Sequence, residues 1–145
     1  MRALIQRVSR AAVRVEGDMV GTIGPGLLVF VGIQPNDNTD SCERMIEKLL
    51  AYRVLADEAG KMNRSLRETG GGLLLVSQFT LAADTRSGLR PGFSTAAAPA
   101  RAEELFDCLV GLARARWDPV ATGRFGAHME VELVNDGPVT FLLEN

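Results

Sequence analysis

The stretch Leu27-Leu28-Val29-Phe30-Val31-Gly32-Ile33 decides the fold, because seven apolar residues follow one another without a polar side chain. A strand covered on both faces gives such a continuous run, whereas a strand with one wet face alternates. Gly24-Pro25-Gly26 breaks the chain just before the run, and a polar loop at 34–38 follows it. The run therefore predicts a central strand of a sheet.

The chain before this run is predicted to form a β-hairpin. Residues 2–15 are extended, since Ala11, Val13 and Val15 alternate with less apolar neighbours. Glu16-Gly17-Asp18 supplies a turn, and residues 19–23 form the returning strand.

The chain after the run predicts two main helices. Asp40, with Glu43 three residues later, forms a capping-box-like start for an amphipathic helix that continues to Val54. Pro99 suits the first turn of a second helix, which ends near Arg116 and buries Leu105, Leu109 and Leu112.

Further strands and loops fill the rest of the chain. Asp57–Gly72 is predicted as a long loop, and Leu73–Ala83 as a strand with Gln78 and Thr80 on one face and Ser77 and Phe79 on the other. Two last strands, at 127–133 and 139–143, flank a turn at 135–138.

This order of elements, in 145 residues of which 46% are hydrophobic, predicts one α+β domain over residues 1–145. The sheet is expected to be mainly antiparallel or mixed, or barrel-like, with two main helices. The start of the chain carries Arg2, Arg7, Arg10 and Arg14 and has no apolar signal core, and no stretch is long and apolar enough to span a membrane. A cytoplasmic protein without a membrane partner is expected.

Charge and residue types exclude several kinds of function. A net charge of -2 argues against a protein that coats duplex DNA, although a short nucleic-acid end remains a possible ligand. Cys42 and Cys108 have no partner at metal-ligand spacing and are expected to be buried, inert thiols. With His128 as the only histidine, we expect no metal site and no cofactor.

Four segments are unusual for a plain scaffold, and each also has an ordinary structural interpretation. Residues 60–65 and 90–94 are also typical of surface loops, Ser77–Leu81 of a strand end, and 135–140 of a tight turn. A nucleophilic Ser77 or Thr80 would need His128 as its base, but strand alternation turns His128 towards solvent with Glu130. Hydrogen-bond donors held in fixed positions can also stabilise an oxyanion, and Gln78, Thr80 and the backbone supply such donors. This kind of catalysis suits an activated ester better than an amide.

At these motifs the sequence resembles the D-aminoacyl-tRNA deacylase family. Ser77-Gln78-Phe79-Thr80 and Asn135-Asp136-Gly137-Pro138-Val139-Thr140 match its two signature motifs. Supporting matches, in order along the chain, are Gln6-Arg7-Val8, Leu27–Ile33, Gly60–Leu66, Arg90-Pro91 with Phe93, and Gly123-Arg124-Phe125-Gly126-Ala127. Gly92 and His128 depart from the family pattern, which leaves the preferred tRNA open.

The resemblance implies an obligate homodimer that hydrolyses the ester of D-aminoacyl-tRNA, or of glycyl-tRNA mischarged on tRNA-Ala. Ser77, Gln78, Phe79 and Thr80 would form the catalytic segment of one subunit, and Gly137-Pro138, joined by a cis bond, would reach it from the other. The X-Pro average alone would have predicted a trans bond.

The resemblance also assigns roles around the aminoacyl group. Carbonyl oxygens of Gly137 and Pro138 would exclude an L side chain, and Arg7 would hold their loop. Phe79 and Phe125 would pack against the terminal adenosine of the tRNA 3′ end. A ribose hydroxyl of the tRNA would help to activate water, and the Thr80 hydroxyl is the alternative as nucleophile.

Three alternatives stay open beside this function. An editing deacylase for a misacylated L-residue would share the fold, but the Gly137-Pro138 motif argues against it. A non-catalytic module that binds the tRNA end would keep Phe79 and Phe125 and tolerate loss of Gly137. A purely structural dimer would explain the apolar strands and none of the motifs.

Overall fold

In the computed structural model, which describes residues 1–145, the chain forms eight strands, three α-helices and one 3₁₀ helix. The elements are β1 (Arg2–Val15), β2 (Asp18–Ile23), β3 (Gly26–Gly32), α1 (Thr39–Ala51), β4 (Leu55–Ala56), β5 (Met62–Arg64), α2 (Leu66–Thr69), β6 (Gly72–Ser77), the 3₁₀ helix (Phe79–Ala82), α3 (Pro99–Arg116), β7 (Val120–Thr122) and β8 (Glu130–Glu144). The predicted α+β class is confirmed. Besides the two predicted main helices, the chain forms a third helix, α2, of a single turn.

Strand β3 is the central strand that the apolar run predicts. It pairs antiparallel with β1 and parallel with β6, so the sheet is mixed. Leu27, Val29 and Val31 belong to the larger core beneath α1 and α3, while Leu28 belongs to a smaller core on the other face of the sheet. Because these four residues are at most 2% exposed, both faces of β3 are covered.

The sheet curls into a nearly closed barrel. Its strands follow the order β2-β1-β3-β6-β7, and β8 pairs with β1 over almost its whole length. The first and last strands of this order, β2 and β7, lie against each other, since a methyl group on Gly21 of β2 would collide with the carbonyl group of Thr122 of β7. The smaller core fills the interior of the curl.

The predicted strand at Leu73–Ala83 is too long, because β6 ends at Ser77. The N–H of Gln78 makes a last hydrogen bond to the Val31 carbonyl oxygen at 2.7 Å, and a 3₁₀ helix follows. This helix lies against Gly32, where an added Cβ would stand 2.8 Å from the Cβ of Leu81. The predicted alternation of residues 77–81 between two faces is therefore wrong.

Helix α1 begins at a different cap from the predicted one. Asn38 Oδ1 accepts a hydrogen bond from the Ser41 N–H at 3.0 Å, and Ser41 Oγ accepts from the Asn38 N–H at 3.3 Å. These two residues form the capping box, and not Asp40 with Glu43. The helix ends at Ala51 and does not continue to Val54.

The segment Asp57–Gly72, predicted as a long loop, contains the turn of the β4–β5 hairpin, strand β5 and helix α2. The Asp57 carboxylate organises the hairpin turn, because it accepts hydrogen bonds from Asn63 Nδ2 and from the N–H groups of Lys61 and Ala59. The bond from Asn63, followed by the bond from Lys61, lowers the pKa of Asp57. The hairpin is therefore set by hydrogen bonds within its turn. It is too short to show the hydrophobic pattern that predicts a longer strand.

The two cysteines are neighbours between α1 and α3. The thiol of Cys42 is fully buried and donates to the Leu105 carbonyl oxygen at 3.4 Å, whereas Cys108 is half-buried, and both are free. Burial, and then the neighbouring Cys108, raises the pKa of Cys42 to about 12. The prediction of a buried thiol is confirmed for Cys42, whereas Cys108 is less buried than predicted. None of the helices combines the length and the apolar character needed to cross a membrane.

Candidate active site

A cleft of about 440 Å³ opens where β6 ends. One wall is formed by the end of β6 and the start of the 3₁₀ helix, a second by the start of α3, and a third by the segment that leads into β8. The lining residues are Val76, Ser77, Gln78, Phe79, Ala97, Pro99, Ala102, Phe125, Gly126, Ala127, His128, Met129 and Val131. His128 is the only titratable side chain among them, so the cleft offers few groups for acid–base chemistry.

The Ser77–Thr80 segment is held rigidly at the cleft. After Ser77 the chain is fixed to β3 by the Gln78–Val31 backbone bond, and Gln78 takes an extended φ of -144° before the 3₁₀ helix begins. The carboxamide of Gln78 then donates from Nε2 to Thr80 Oγ1. The Thr80 side chain is exposed and lies outside the cleft lining.

A nucleophile with an activating base is absent from this arrangement. His128 is exposed, as predicted, but it precedes β8, which begins at Glu130 and not at Ala127, and its ring makes no hydrogen bond to Ser77 or to Thr80. The Thr80 hydroxyl faces a carboxamide, which cannot take its proton. A Ser-His or Thr-His pair of the kind that activates hydroxyl nucleophiles is therefore not present in this structure.

The backbone N–H groups of Phe79 and Thr80 are the other hydrogen-bond donors of this segment. The first bond of the 3₁₀ helix joins the Leu81 N–H to the Gln78 carbonyl oxygen, so the N–H groups of Phe79 and Thr80 precede the first helical bond. Phe79 also lines the cleft. Two successive N–H groups without helical acceptors can bind a developing oxyanion there.

The predicted turn at Asn135–Pro138 is a bulge within one continuous strand, β8. Gln6 of β1 faces Thr140 and Val8 faces Asn135, so residues 136–139 bulge out opposite Arg7. The Asn135 side chain closes this bulge, because its Oδ1 accepts from the Val139 N–H at 2.7 Å and its Nδ2 donates to Thr140 Oγ1 at 3.0 Å.

Gly137 and Pro138 occupy the exposed tip of the bulge and are joined by a cis peptide bond, as the resemblance implies. Gly137 has a φ of +149°, and a Cβ there would stand 2.7 Å from Val139 Cγ2 and 2.9 Å from the Val139 nitrogen. Only glycine fits both the dihedral angle and the space. Neither residue lines the cleft of its own chain.

Arg7 anchors the bulge from below. Its Nε donates to the Asp136 carbonyl oxygen at 2.7 Å, and its Nη1 donates to the Val54 carbonyl oxygen at 3.0 Å. The side chain is only 13% exposed. Arg7 thus contacts the segment that contains Gly137 and Pro138 and does not line the cleft.

The structure brings part of the predicted site together within one chain. Ser77, Gln78, Phe79 and Phe125 all line the cleft, and Phe125 also packs on Phe106 at a centroid distance of 6.1 Å. Thr80 stands beside the cleft through its bond to Gln78. The predicted substrate-binding residues Arg7, Gly137 and Pro138 form a separate group on β1 and β8.

Comparison with known proteins identifies the family. The profile of the family described as D-Tyr-tRNA(Tyr) deacylase matches residues 4–144. The chain belongs to this family. Curated relatives named D-aminoacyl-tRNA deacylase include one from Azotobacter vinelandii, 67% identical over 144 residues, and one from Ectopseudomonas mendocina, 68% identical over 144 residues. The match covers 99% of this chain and 99% of each relative.

Solved structures share the fold. The structure titled c-Myc DNA Unwinding Element Binding Protein superposes with a TM-score of 0.95 at 38% identity and covers 100% of this chain and 99% of that one. A probable eukaryotic D-amino acid tRNA deacylase superposes with a TM-score of 0.84 at 17% identity over 98% of this chain and 97% of its own, which supports the fold alone. The predicted enzyme class, a deacylase that acts as an ester hydrolase, is confirmed by the family and its curated relatives.

Sequence reasoning assigned no role in the site to three features that the structure shows. The cleft is also lined by Ala97, Pro99 and Ala102 of the α3 region. Their small size was the only feature of the sequence that could have indicated this position. Phe93 lies against Phe79 with ring centroids 5.1 Å apart, at the base of a loop closed by an Asp84–Gly92 bridge.

Asn135 closes the bulge, although its residue type predicts only a turn.

Outside the cleft, hydrogen bonds from Arg86 hold the pKa of Asp84 well below its ordinary range.

Proposed function

We propose that this chain hydrolyses the ester bond of D-aminoacyl-tRNA, and of glycyl-tRNA mischarged on tRNA-Ala, as a homodimer in the cytoplasm. Gly137 and Pro138 of one subunit would close the cleft of the other and exclude L-aminoacyl groups. The observation that carries the proposal is the placement of the Gly137-Pro138 segment, which is rigidly held and exposed yet absent from the cleft of its own chain.

The rigidity of the bulge supports its use as a wall. Arg7 and Asn135 fix it through hydrogen bonds of 2.7 Å each, to the Asp136 carbonyl oxygen and from the Val139 N–H. A wall of carbonyl oxygens that cannot retreat would reject a side chain on the L side of the α-carbon and leave hydrogen as the only substituent there. D-residues and glycine both meet that condition, so one wall serves many substrates.

A second copy of the chain has a suitable surface for docking. Strand β8 pairs only with β1, so its other edge is unpaired. Val134, Phe141 and Leu142 of β8 are between 38% and 52% exposed, which is unusual for large apolar side chains on a long strand. Burial of this strand in a dimer would bring the bulge of each copy onto its partner.

The hydrolysis itself needs water, positioned donors and a leaving hydroxyl. Water adds to the ester carbonyl carbon, the oxyanion receives hydrogen bonds from the N–H groups of Phe79 and Thr80, and the bond to the ribose oxygen breaks as that oxygen takes up the proton that the water loses. One preorganised donor is worth roughly 2.7–4 kcal/mol of transition-state stabilisation. Because the cleft contains no carboxylate, the ribose hydroxyl of the tRNA would help to activate the water. Phe79 and Phe125 would pack against the terminal adenine.

The direct test compares two substrates with one enzyme. Purified protein should hydrolyse D-Tyr-tRNA rapidly and leave L-Tyr-tRNA intact, with and without a metal chelator, and should run as a dimer in light scattering. Glycyl-tRNA charged on tRNA-Ala should be hydrolysed as well. Equal rates on the D and L substrates, or activity confined to the L substrate, would contradict the proposal and favour an editing enzyme for L-residues.

A further inference from the structure

A second pocket, of about 330 Å³, adjoins the cleft. Ala127 and His128 line both, so the two share a wall. Arg14, at the end of β1, and Arg124, in the segment that leads into β8, line this second pocket from two sides. A ligand that extends beyond the cleft past His128 would therefore meet two guanidinium groups.

These two arginines are unusual in having no partner. Most arginine side chains of the chain donate to an oxygen atom of another residue, as Arg10 does to Glu132 and Arg116 to Glu47. The exceptions are Arg14, Arg90, Arg114 and Arg124. Two of these four line the same pocket, and Arg14 is half-buried there. A half-buried guanidinium group that makes no hydrogen bond or ion pair favours an anionic ligand.

We propose that this pocket binds a backbone phosphate of the unpaired tRNA 3′ end, with Arg14 and Arg124 donating to the phosphate oxygens. The inference rests on the proposed function, because it requires the terminal nucleoside to occupy the neighbouring cleft. Guanidinium groups match phosphate oxygens in geometry and are the preferred side chains for such contacts. His128, at the shared wall, supplies a further ring nitrogen beside the path between the two pockets.

Two carboxylates reduce the net positive charge of the pocket. Glu16 and Glu130 also line it, and Arg14 faces Glu130 directly across the β1–β8 pair, yet neither carboxylate lies within 4.0 Å of either guanidinium group. The arginines are thus free to turn towards a phosphate, while the carboxylates weaken its binding. Such a pocket guides the RNA end without holding the product strongly. Loss of the Glu130 charge should therefore strengthen binding.

The test uses two substrates that differ in their phosphates. One is a D-aminoacyl-tRNA, and the other is the 3′ ester of the same D-amino acid with adenosine, which carries no phosphate. The double substitution Arg14→Gln with Arg124→Gln should lower kcat/KM for the tRNA substrate about tenfold or more, through KM, because it removes charge-assisted hydrogen bonds. Hydrolysis of the adenosine ester should not change.

Salt dependence and three further variants sharpen the test. The slope of log kcat/KM against log salt should become shallower by about 0.7 for each single-strand phosphate that the protein no longer neutralises. Arg14→Lys with Arg124→Lys should keep most of that slope, and Glu130→Gln should raise kcat/KM for the tRNA substrate only. Arg114→Gln is the matched control, since Arg114 is exposed in the last turn of α3 and lines neither pocket.

The possible outcomes separate this inference from the proposed function. An equal loss of activity on both substrates, or no loss on either, would overturn the phosphate site while leaving the deacylase intact. If wild-type protein hydrolyses neither substrate, the proposed function fails. Binding of a labelled oligonucleotide with the sequence of the tRNA 3′ end then still decides this inference. Binding weakened by the glutamine pair would support the phosphate site, and unchanged binding would refute it.

Discussion

Replacement of Gly137 by alanine tests the bulge at its most constrained residue. The added Cβ would stand 2.7 Å from Val139 Cγ2 and 3.2 Å from Arg7 Nη2, and the φ of +149° is one that L-residues rarely adopt. The unfavourable φ should lower the free energy of unfolding by about 1–3 kcal/mol. Steric crowding by the added Cβ should lower it by about 1–3 kcal/mol more. Because domains are stable by about 5–15 kcal/mol, the variant should fold with a displaced bulge.

The expected result is a loss of chiral selectivity that exceeds the loss of stability. Chemical denaturation should show a free energy of unfolding lower by about 2–6 kcal/mol, the sum of the two terms. Initial rates with D-Tyr-tRNA and L-Tyr-tRNA should show a lower D rate and a narrower D-to-L ratio, because the wall has moved.

Gly60→Ala is the matched control for this experiment. Gly60 also has a positive φ, +76°, but no atom lies within 4 Å of its Cβ position. Its substitution should cost only the backbone term, about 1–2 kcal/mol, and leave the D-to-L ratio unchanged. A Gly137→Ala protein with wild-type stability and wild-type selectivity would refute the reasoning.

Three further substitutions or treatments have defined outcomes. Arg7→Ala removes the bonds to the carbonyl oxygens of Asp136 and Val54, so the free energy of unfolding should fall by about 2–4 kcal/mol and selectivity should drop, as denaturation and rate measurements would show. Thr80→Ala should keep most of kcat, because its hydroxyl only accepts from Gln78; complete loss of activity in a folded protein that still binds tRNA would instead support a covalent route. Cys42 should resist alkylation by iodoacetamide at pH 8 in a mass-spectrometric assay, because its pKa is raised to about 12. Its contribution to stability is complete below pH 9.0, where the unfolded thiol is protonated, and is lost as the pH rises towards about 12.

Much of the scaffold could be predicted because its signals are local. The apolar run of β3 gives a strand buried on both faces, Glu16 and Gly17 give the β1–β2 turn with positive φ values of 51° and 85°, and Pro99 marks the start of α3. In each case the residue type itself satisfies the backbone conformation or the burial that the fold requires.

The elements that escaped prediction depend on contacts between distant segments. Phe79–Ala82 has the alternation of a strand, but it turns into a 3₁₀ helix because β6 makes its last bond at Gln78 and Gly32 leaves room beside it. Asn135 to Pro138 has the composition of a turn, but the Asn135 amide and Arg7 satisfy the bulge so that β8 can rejoin β1. No local pattern records either contact.

The candidate site shows the same division. Ser77, Gln78, Phe79 and Phe125 were named from motifs and do line one cleft. The small residues of α3 complete that cleft, but their residue type is equally suited to any helix packed on a sheet. The position of the Gly-Pro segment on a different surface could not be read from the sequence, because it depends on the pairing of β8 with β1.

Complementation between two impaired subunits tests the composite site most directly. One subunit carries Gly137→Ala, and the other carries Phe125→Ala, which empties part of the cleft wall. Co-expressed and purified through different tags, the mixed dimer contains one site in which the wild-type cleft meets the wild-type Gly-Pro segment. We predict that this dimer hydrolyses D-Tyr-tRNA faster and rejects L-Tyr-tRNA more strongly than either parent dimer. A mixed dimer with only the sum of the parental activities would contradict a cross-subunit site.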